Sequence, residues 1–261
     1  MRVLAIGDVV GKPGRRAVAA LLPTLRRELR IDVVLANGEN AAAGRGLTTK
    51  TARDLFDAGV DVITSGNHIW DQAEIIPHLD KDERIIRPAN YPAAAPGRGT
   101  TSCAGLTVIN LMGRTFMYEI DDPFAAADRL LAAVPAGTPV VVDMHGEATS
   151  EKVSMGWHLD GRVAAVLGTH THVPTADQRI LPKGTAFVCD LGMCGVKDSI
   201  IGVEPAPVLR KFLTGMPARF SVPEHHGAVT FNSALVEIDE ATGLARSIER
   251  VDREWTPTPS K

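Results

Sequence analysis

Five short polar clusters contain the residue types of this sequence that could do chemistry, and each cluster follows an apolar run. They combine carboxylates, amides and imidazoles, and four of the eight histidines lie in them. The clusters are Gly7-Asp8, Asn37-Gly38-Glu39-Asn40, Ser65-Gly66-Asn67-His68, Asp143-Met144-His145-Gly146-Glu147 and Gly168-Thr169-His170-Thr171-His172. Because imidazole nitrogen together with carboxylate and amide oxygen suits Mn, Fe, Zn or Co, this inventory predicts a metal site.

The elements that must position these clusters follow an alternating pattern. Short β-branched apolar runs alternate with longer amphipathic segments, which is typical of an α/β sheet covered by helices. The predicted strands are 2–7, 32–36, 61–64, 84–87, 106–111, 139–143, 163–168 and 185–190, and the predicted helices are 14–30, 48–58, 71–79, 122–134 and 150–158. Alternation after residue 226 predicts antiparallel strands in a hairpin across 239–243. Ligands bind at the carboxyl ends of strands in such sheets, so we expect the clusters to meet in one crevice.

Each cluster also has an ordinary structural interpretation. An aspartate that follows a strand, such as Asp8, is more often a helix cap or turn residue than a metal ligand. Asn67-His68 could cap the next helix, and Glu147 could either hydrogen-bond a ligating imidazole or begin the following helix. The joint occurrence of such clusters at successive strand ends favours metal ligation over separate caps.

Two of the clusters contain residues that could bind a pair of neighbouring cations. His170 and His172 lie two residues apart, so in an extended segment both would face the same side. A bridging carboxylate such as Glu39 could hold two cations about 3.5–4 Å apart, the usual arrangement for phosphoryl hydrolysis. The first cluster lacks the residue order of a nucleotide P-loop, and its essential group is therefore the carboxylate of Asp8.

Length and composition restrict the class of protein. The 261 residues are 44% hydrophobic, which is enough for one large α/β domain over 1–261, and the Pro- and Gly-rich stretch at about 197–224 is interpreted as a lid or interface excursion. The formal net charge of −3 argues against binding of extended nucleic acid but allows a small phosphate-bearing substrate. The oligomeric state, including a homo-oligomer, stays open.

The sequence also indicates a compartment. The chain has no export-signal pattern and no run of about 18 apolar residues, so no membrane association is expected. Its three cysteines include no Cys-x-x-Cys pair, which argues against a disulfide framework and a closed zinc site. Together these features favour a reducing cytoplasm.

The ordered motifs resemble those of the YmdB family of calcineurin-like metallophosphoesterases, from the first cluster through the segment 190–193 and the C-terminal strands. The motifs are Gly-Asp-x-Val-Gly, Asn-Gly-Glu-Asn, Gly-Asn-His, His-Gly-Glu and Gly-Thr-His-Thr-His-Val-Pro-Thr-Ala-Asp. The resemblance implies an α/β fold, a two-sheet β-sandwich of mixed strands flanked by helices in four α-β-β-α layers. It also implies a binuclear Fe and/or Mn centre, with Zn or Co as alternatives, and phosphodiesterase activity that includes 2′,3′-cyclic nucleotides.

Carried over by position, the resemblance assigns roles to eight residues. The first metal would lie near Asp8, Glu39, Asn40 and His172, and the second would be held by Glu39, Asn67, His145 and His170. His68 would act as general acid for the leaving oxygen or stabilise the transition state. The wider superfamily has a histidine where Val10 stands and Asp-Asn where Glu39-Asn40 stands, and both departures match the YmdB branch.

The expected reaction is attack on phosphorus by a hydroxide that bridges the two cations, in line with the leaving oxygen. Arg45, in a glycine-rich loop, is a candidate for substrate contact. For His225 and His226, which precede a predicted strand, a structural role is favoured over one at the site or at a subunit interface. Two alternatives use the same site: a phosphomonoesterase, and a regulatory protein that senses a nucleotide or metal with very slow turnover.

Overall fold

Helices and strands alternate along most of the chain. The structure is a computed structural model that describes residues 1–223 and 227–257. The helices are α1 (Gly11–Glu28), α2 (Thr49–Asp57), α3 (Ile76–Leu79), α4 (Pro123–Leu131), α5 (Thr149–His158) and α6 (Pro205–Thr214), with a 3₁₀ helix at Ala73–Ile75. The strands are β1 (Arg2–Ile6), β2 (Asp8–Val9), β3 (Val33–Asn37), β4 (Val62–Thr64), β5 (Thr100–Cys103), β6 (Leu106–Met112), β7 (Val140–His145), β8 (Ala165–Thr169), β9 (Arg179–Ile180), β10 (Ala186–Val188), β11 (Met193–Val196), β12 (Val229–Phe231), β13 (Ser233–Asp239), β14 (Leu244–Arg250) and β15 (Arg253–Trp255).

The strands form two large mixed sheets and one smaller sheet. The first large sheet has the order β14-β13-β1-β3-β4 and the second has β5-β6-β7-β8-β10-β9. Strands β1, β3 and β4 run parallel, as do β6, β7, β8 and β10, while β13 runs antiparallel to β1. The smaller sheet, β15-β12-β11-β2, ties the short strand that contains Asp8 to the C-terminal part of the chain.

The two large sheets pack face to face, and helices cover their outer faces. Successive residues of a strand point to opposite faces, so Val3 of β1 lies in the core between the sheets while Leu4 packs against the helix layer that contains α1 and α2. On the other side, Val142 of β7 packs in the core beneath α4 and α5. These three cores give the four layers α-β-β-α, which confirms the predicted fold class.

Two predicted elements are wrong in form. Residues 84–87 make only isolated bridges, through Ile85 and Ile86, and the following Pro88 has no amide with which to continue a ladder. Residues 71–79 form a 3₁₀ turn and one short helix instead of a continuous helix. Pro77 lies inside this segment, where it removes a helical hydrogen bond and starts a new turn.

The C-terminal region differs from the prediction more than the rest. The predicted hairpin is confirmed as β13 and β14, which are joined across residues 239–243. The alternating run before this turn divides at Asn232 into β12 and β13, which belong to different sheets. The stretch 197–224 contains α6, which the sequence pattern did not predict, and its role as a lid or interface stays a prediction.

Candidate metal centre

Donor atoms from four clusters converge at the carboxyl ends of the strands. One ligand atom each from Glu39, His145 and His170 lie within 4.8 Å of one another. Nε2 of His145 lies 3.2 Å from Glu39 Oε1, 3.1 Å from Asn67 Oδ1 and 3.0 Å from His170 Nδ1. One ring nitrogen cannot make three hydrogen bonds of this kind, since it carries at most one proton. Two imidazole nitrogens and two oxygens around one point are a donor set that a cation fits.

A second group of donors adjoins the first. Asp8 Oδ1 lies 3.5 Å from His172 Nε2, and Asn40 Nδ2 lies 3.2 Å from the same nitrogen. The Asn40 amide also lies 3.4 Å from Glu39 Oε1, so Glu39 is in contact with both groups. The side chains of Asp8 and Glu39 are almost fully buried, and water therefore cannot solvate their charge.

The electrostatics of these groups favour bound positive charge. Burial opposes ionisation of Asp8 and Glu39, yet the facing imidazoles of His172 and His145 hold the pKa of both carboxyls below the usual value. Burial also opposes protonation of the imidazoles, but the carboxylates raise the pKa of His145 and of His172 to about 9. Burial and the neighbouring His145 lower the pKa of His170 to about 4. Two buried carboxylates that stabilise positive charge on neighbouring groups would also stabilise a bound cation.

Hydrogen bonds to the far ring nitrogens orient two of the histidines. His172 Nδ1 lies 2.8 Å from the carbonyl oxygen of Ile201, which can only accept, so Nδ1 is the donor and Nε2 faces Asp8. His170 Nε2 lies 3.1 Å from Glu147 Oε2, which leaves Nδ1 facing His145. Of the two interpretations of Glu147, this contact favours the partner of an imidazole. Such contacts fix the tautomer and ring orientation of a metal-binding histidine.

A buried hydroxyl connects His145 to a carboxylate. Thr169 Oγ1 lies 2.9 Å from His145 Nδ1 and donates to Asp143 Oδ1 at 2.7 Å. The other Asp143 oxygen accepts a hydrogen bond from Thr64 in the opposite sheet. Burial raises the pKa of Asp143 to about 6, against the effect of His145 and of these two hydroxyls. Thr169 therefore links an imidazole of the centre to the interior between the sheets.

The backbone approaches the centre in conformations that few residue types adopt. His170 has a φ of 105° and His172 a φ of 65°, in the left-handed region, where a non-glycine residue costs about 1–3 kcal/mol. At Gly66 an added Cβ would lie 2.1 Å from His145 Cδ2, so only glycine leaves room for the imidazole there. Strained backbone that packing maintains is frequent at functional sites.

His68 lies at the rim of this centre with its own partners. Its backbone amide donates to Glu39 Oε2 at 3.0 Å, and its Nδ1 lies 2.8 Å from Asp71 Oδ2. Arg45 Nε lies 3.0 Å from the same Asp71 oxygen. The sequence reasoning missed Asp71, although its position three residues after His68 was a usable signal. With Nδ1 engaged by Asp71, Nε2 is the nitrogen of His68 that is left for a substrate.

The structure therefore brings all the sequence-predicted site residues into one region. They are Asp8, Glu39, Asn40, Asn67, His145, His170 and His172, with His68 and Arg45 at the rim. His225 and His226 lie outside the described residues. Across 1–223 and 227–257, no helix has the length and apolarity needed to cross a bilayer.

Comparisons with known proteins agree with this geometry. The profile of a family described as YmdB-like protein matches residues 4–251. A Bacillus subtilis (strain 168) protein named 2′,3′-cyclic-nucleotide 2′-phosphodiesterase is 48% identical over 256 residues, which are 96% of each chain.

Two solved structures are similar over almost their whole length. A hypothetical protein from Thermus thermophilus has a TM-score of 0.91 and 46% identity, covering 98% of this chain and 100% of that one. A phosphatase from Mycoplasma pneumoniae has a TM-score of 0.92 and 32% identity, covering 99% and 95%. From its sequence and its fold alike, this chain belongs to the YmdB-like family.

Proposed function

We propose that the protein is a metal-dependent phosphodiesterase that hydrolyses small phosphodiesters, with 2′,3′-cyclic nucleotides as the leading substrate class. The observation that carries this proposal is the convergence of Glu39, His145 and His170 donor atoms in a chain 48% identical to a relative named for that activity. Nitrogen and oxygen donors with no thiolate among them are suited to catalytic rather than structural metal binding.

The centre would hold two cations, Fe and/or Mn, with Zn or Co as alternatives. Asp8, Glu39, Asn40 and His172 would hold one, and Glu39, Asn67, His145 and His170 would hold the other. Asn40 would turn its amide so that Oδ1 replaces Nδ2 as the inward atom. When bound, the cations would polarise the phosphoryl group and make a water-derived nucleophile available at neutral pH.

The residues at the rim would handle the substrate. His68 would deliver a proton from Nε2 to the leaving oxygen, while Asp71, at 2.8 Å from Nδ1, holds the ring in place. Arg45 is two-thirds exposed and lies beside this pair, where its guanidinium would contact the phosphate or its substituent. Asp71 would thus orient both the general acid and the substrate contact.

The partners that fit this activity are small. A net charge of −3 gives no general attraction for extended nucleic acid, so a short diester or nucleotide is the proposed substrate. We place the activity in the cytoplasm and leave a homo-oligomer open, with the stretch 197–224 as the proposed lid or interface.

The test compares three esters on protein purified without chelators: bis-para-nitrophenyl phosphate, para-nitrophenyl phosphate and a 2′,3′-cyclic nucleotide. We expect both diesters to be hydrolysed faster than the monoester, and Glu39→Ala to lose metal content and turnover together. Preference for the monoester would identify a phosphomonoesterase. Tight cyclic-nucleotide binding with no product over hours in Mn or Fe would identify a sensor. Full activity of metal-depleted Glu39→Ala would reject the metal mechanism.

A further inference from the structure

A buried ion pair lies beneath the loop that carries His170 and His172. Lys152 Nζ of α5 lies 2.8 Å from Asp190 Oδ2, in the segment after β10, and each side chain is only 1% exposed. Lys152 is among the largest fully buried side chains in the described part of the chain. Burial of two charges brings little or no net stability compared with apolar residues, so this pair calls for a role other than stability alone.

The hydrogen bonds of the pair lead to the histidine loop. Asp190 Oδ2 accepts from the backbone amide of Thr171 at 3.1 Å and from its hydroxyl at 2.7 Å. Lys152 Nζ also donates to the carbonyl oxygen of Thr169 at 3.4 Å. The pair therefore holds the residues on either side of His170, one of which directly precedes His172.

This loop needs external restraint because both histidines are in the left-handed φ region. Asp8 Oδ2 accepts from the backbone amide of His170 at 3.1 Å, but Asp8 belongs to the centre itself. The Lys152–Asp190 pair is a second, separate restraint, because neither residue is among the predicted metal ligands. A Cβ added at Gly168 would lie 1.7 Å from the Cys189 carbonyl oxygen, so the strand end and the Asp190 segment are also in close backbone contact.

We propose that Lys152 and Asp190 are positioning residues that hold the strained histidine loop so that His170 and His172 present their nitrogens to metal. The inference rests on the proposed function only in that the centre binds a cation. Thr171 transmits the restraint, since its amide and its hydroxyl both donate to Asp190. Loss of the restraint should lower the affinity for metal, and any effect on hydrolysis should follow from that weaker binding.

The experiment measures Mn²⁺ binding to the full-length chain by calorimetry, after chelator treatment and dialysis, and records the Co²⁺ absorption spectrum. Thr171→Val removes the hydroxyl at nearly constant shape, whereas Thr171→Ser keeps it. We expect Thr171→Val and Lys152→Met to raise the Mn²⁺ Kd by about 10-fold to 100-fold. We expect both to change the Co²⁺ spectrum, and Thr171→Ser to behave as the wild type does.

Two controls separate positioning from general destabilisation. Lys197→Met makes the same substitution at an exposed ion pair, 2.6 Å from Glu254, and should leave the Kd unchanged. Leu25→Ala destabilises the core near the far end of α1 and should lower the Tm without altering the Co²⁺ spectrum. If Lys152→Met fails to fold, the comparison of Thr171→Val with Thr171→Ser decides.

A wild-type Kd and spectrum in Thr171→Val would overturn the inference, as would equal Kd losses in Thr171→Val and Leu25→Ala. Failure of the proposed function has a different signature, because wild-type protein would then bind Mn²⁺ and hydrolyse none of the three esters. A variant series that weakens Mn²⁺ binding as expected supports the positioning role in either case.

Discussion

Gly66→Ala should disable the metal centre by moving one imidazole. The added Cβ would lie 2.1 Å from His145 Cδ2 and 2.2 Å from Nε2, whereas ordinary contacts begin at 3.4 Å. Either the ring or the Gly66 backbone must therefore move by more than 1 Å. Metal–ligand distances in a functional site hold to about 0.2 Å, so the displacement exceeds the tolerance roughly fivefold.

The backbone around Gly66 cannot absorb this movement without a further loss. The Ser65 amide donates to Asn110 Oδ1 at 2.9 Å, and the Ser65 hydroxyl donates to the carbonyl oxygen of Ile86 at 2.9 Å. On the other side, the amide of His68 donates to Glu39 Oε2 at 3.0 Å. A shift of the loop would displace the neighbouring donor groups instead of His145.

Metal analysis by mass spectrometry, with kinetics on bis-para-nitrophenyl phosphate, would measure the effect. We expect a loss of metal and a fall in kcat/KM of about 100-fold or more, as an ångström-scale misplacement produces. Gly146→Ala is the matched control, because it adds the same methyl beside His145 but meets Lys152 Cγ at an ordinary 3.5 Å. Gly66→Ala protein with wild-type metal content and turnover would refute the steric reasoning.

Three further predictions concern the proposed general acid, a hydrogen-bond partner of His145 and the hydrophobic core. His68→Ala should keep its metal but lower kcat by about 100-fold to 10,000-fold, the range for loss of a general acid, and metal content measured beside kinetics checks both parts. Thr169→Val should raise the Mn²⁺ Kd by about 10-fold because His145 loses its hydroxyl partner, while Thr169→Ser should not, as calorimetry would show. Leu22→Ala, in the fully buried face of α1, should lower the free energy of unfolding by about 2–5 kcal/mol in urea titrations with little effect on Mn²⁺ affinity.

The parts of the centre that the sequence could predict share one property: each is local. A polar residue after an apolar run marks a strand end, and parallel strands bring such ends to one edge of a sheet. For this reason Asn37 and Thr64, which end neighbouring parallel strands, carry their clusters to the same place. The joint occurrence of the clusters then favoured metal ligation over independent caps such as the one Asp8 could have made.

The parts that could not be predicted depend on contacts between segments far apart in the sequence. Thr64 meets Asp143 across the two sheets at a separation of 79 residues, and Lys152 meets Asp190 at a separation of 38. No periodicity encodes such a pair, because either partner alone has the pattern of an ordinary strand or helix residue. The division of the C-terminal run at Asn232 has the same cause. The alternating pattern is continuous, but its two halves, β12 and β13, pair with distant strands of different sheets.

The predicted ligands and the buried residues that contact them contribute to the centre in different ways. Thr169 shows this most directly, because its hydroxyl contacts His145 while its carbonyl oxygen accepts from Lys152. An unrestrained loop would relax from the left-handed φ values of His170 and His172, and the donor atoms would separate even though every ligand type was present. We therefore expect the identity of the ligands to determine which ions the chain can bind, and the buried contacts behind the ligands to determine how tightly it holds them.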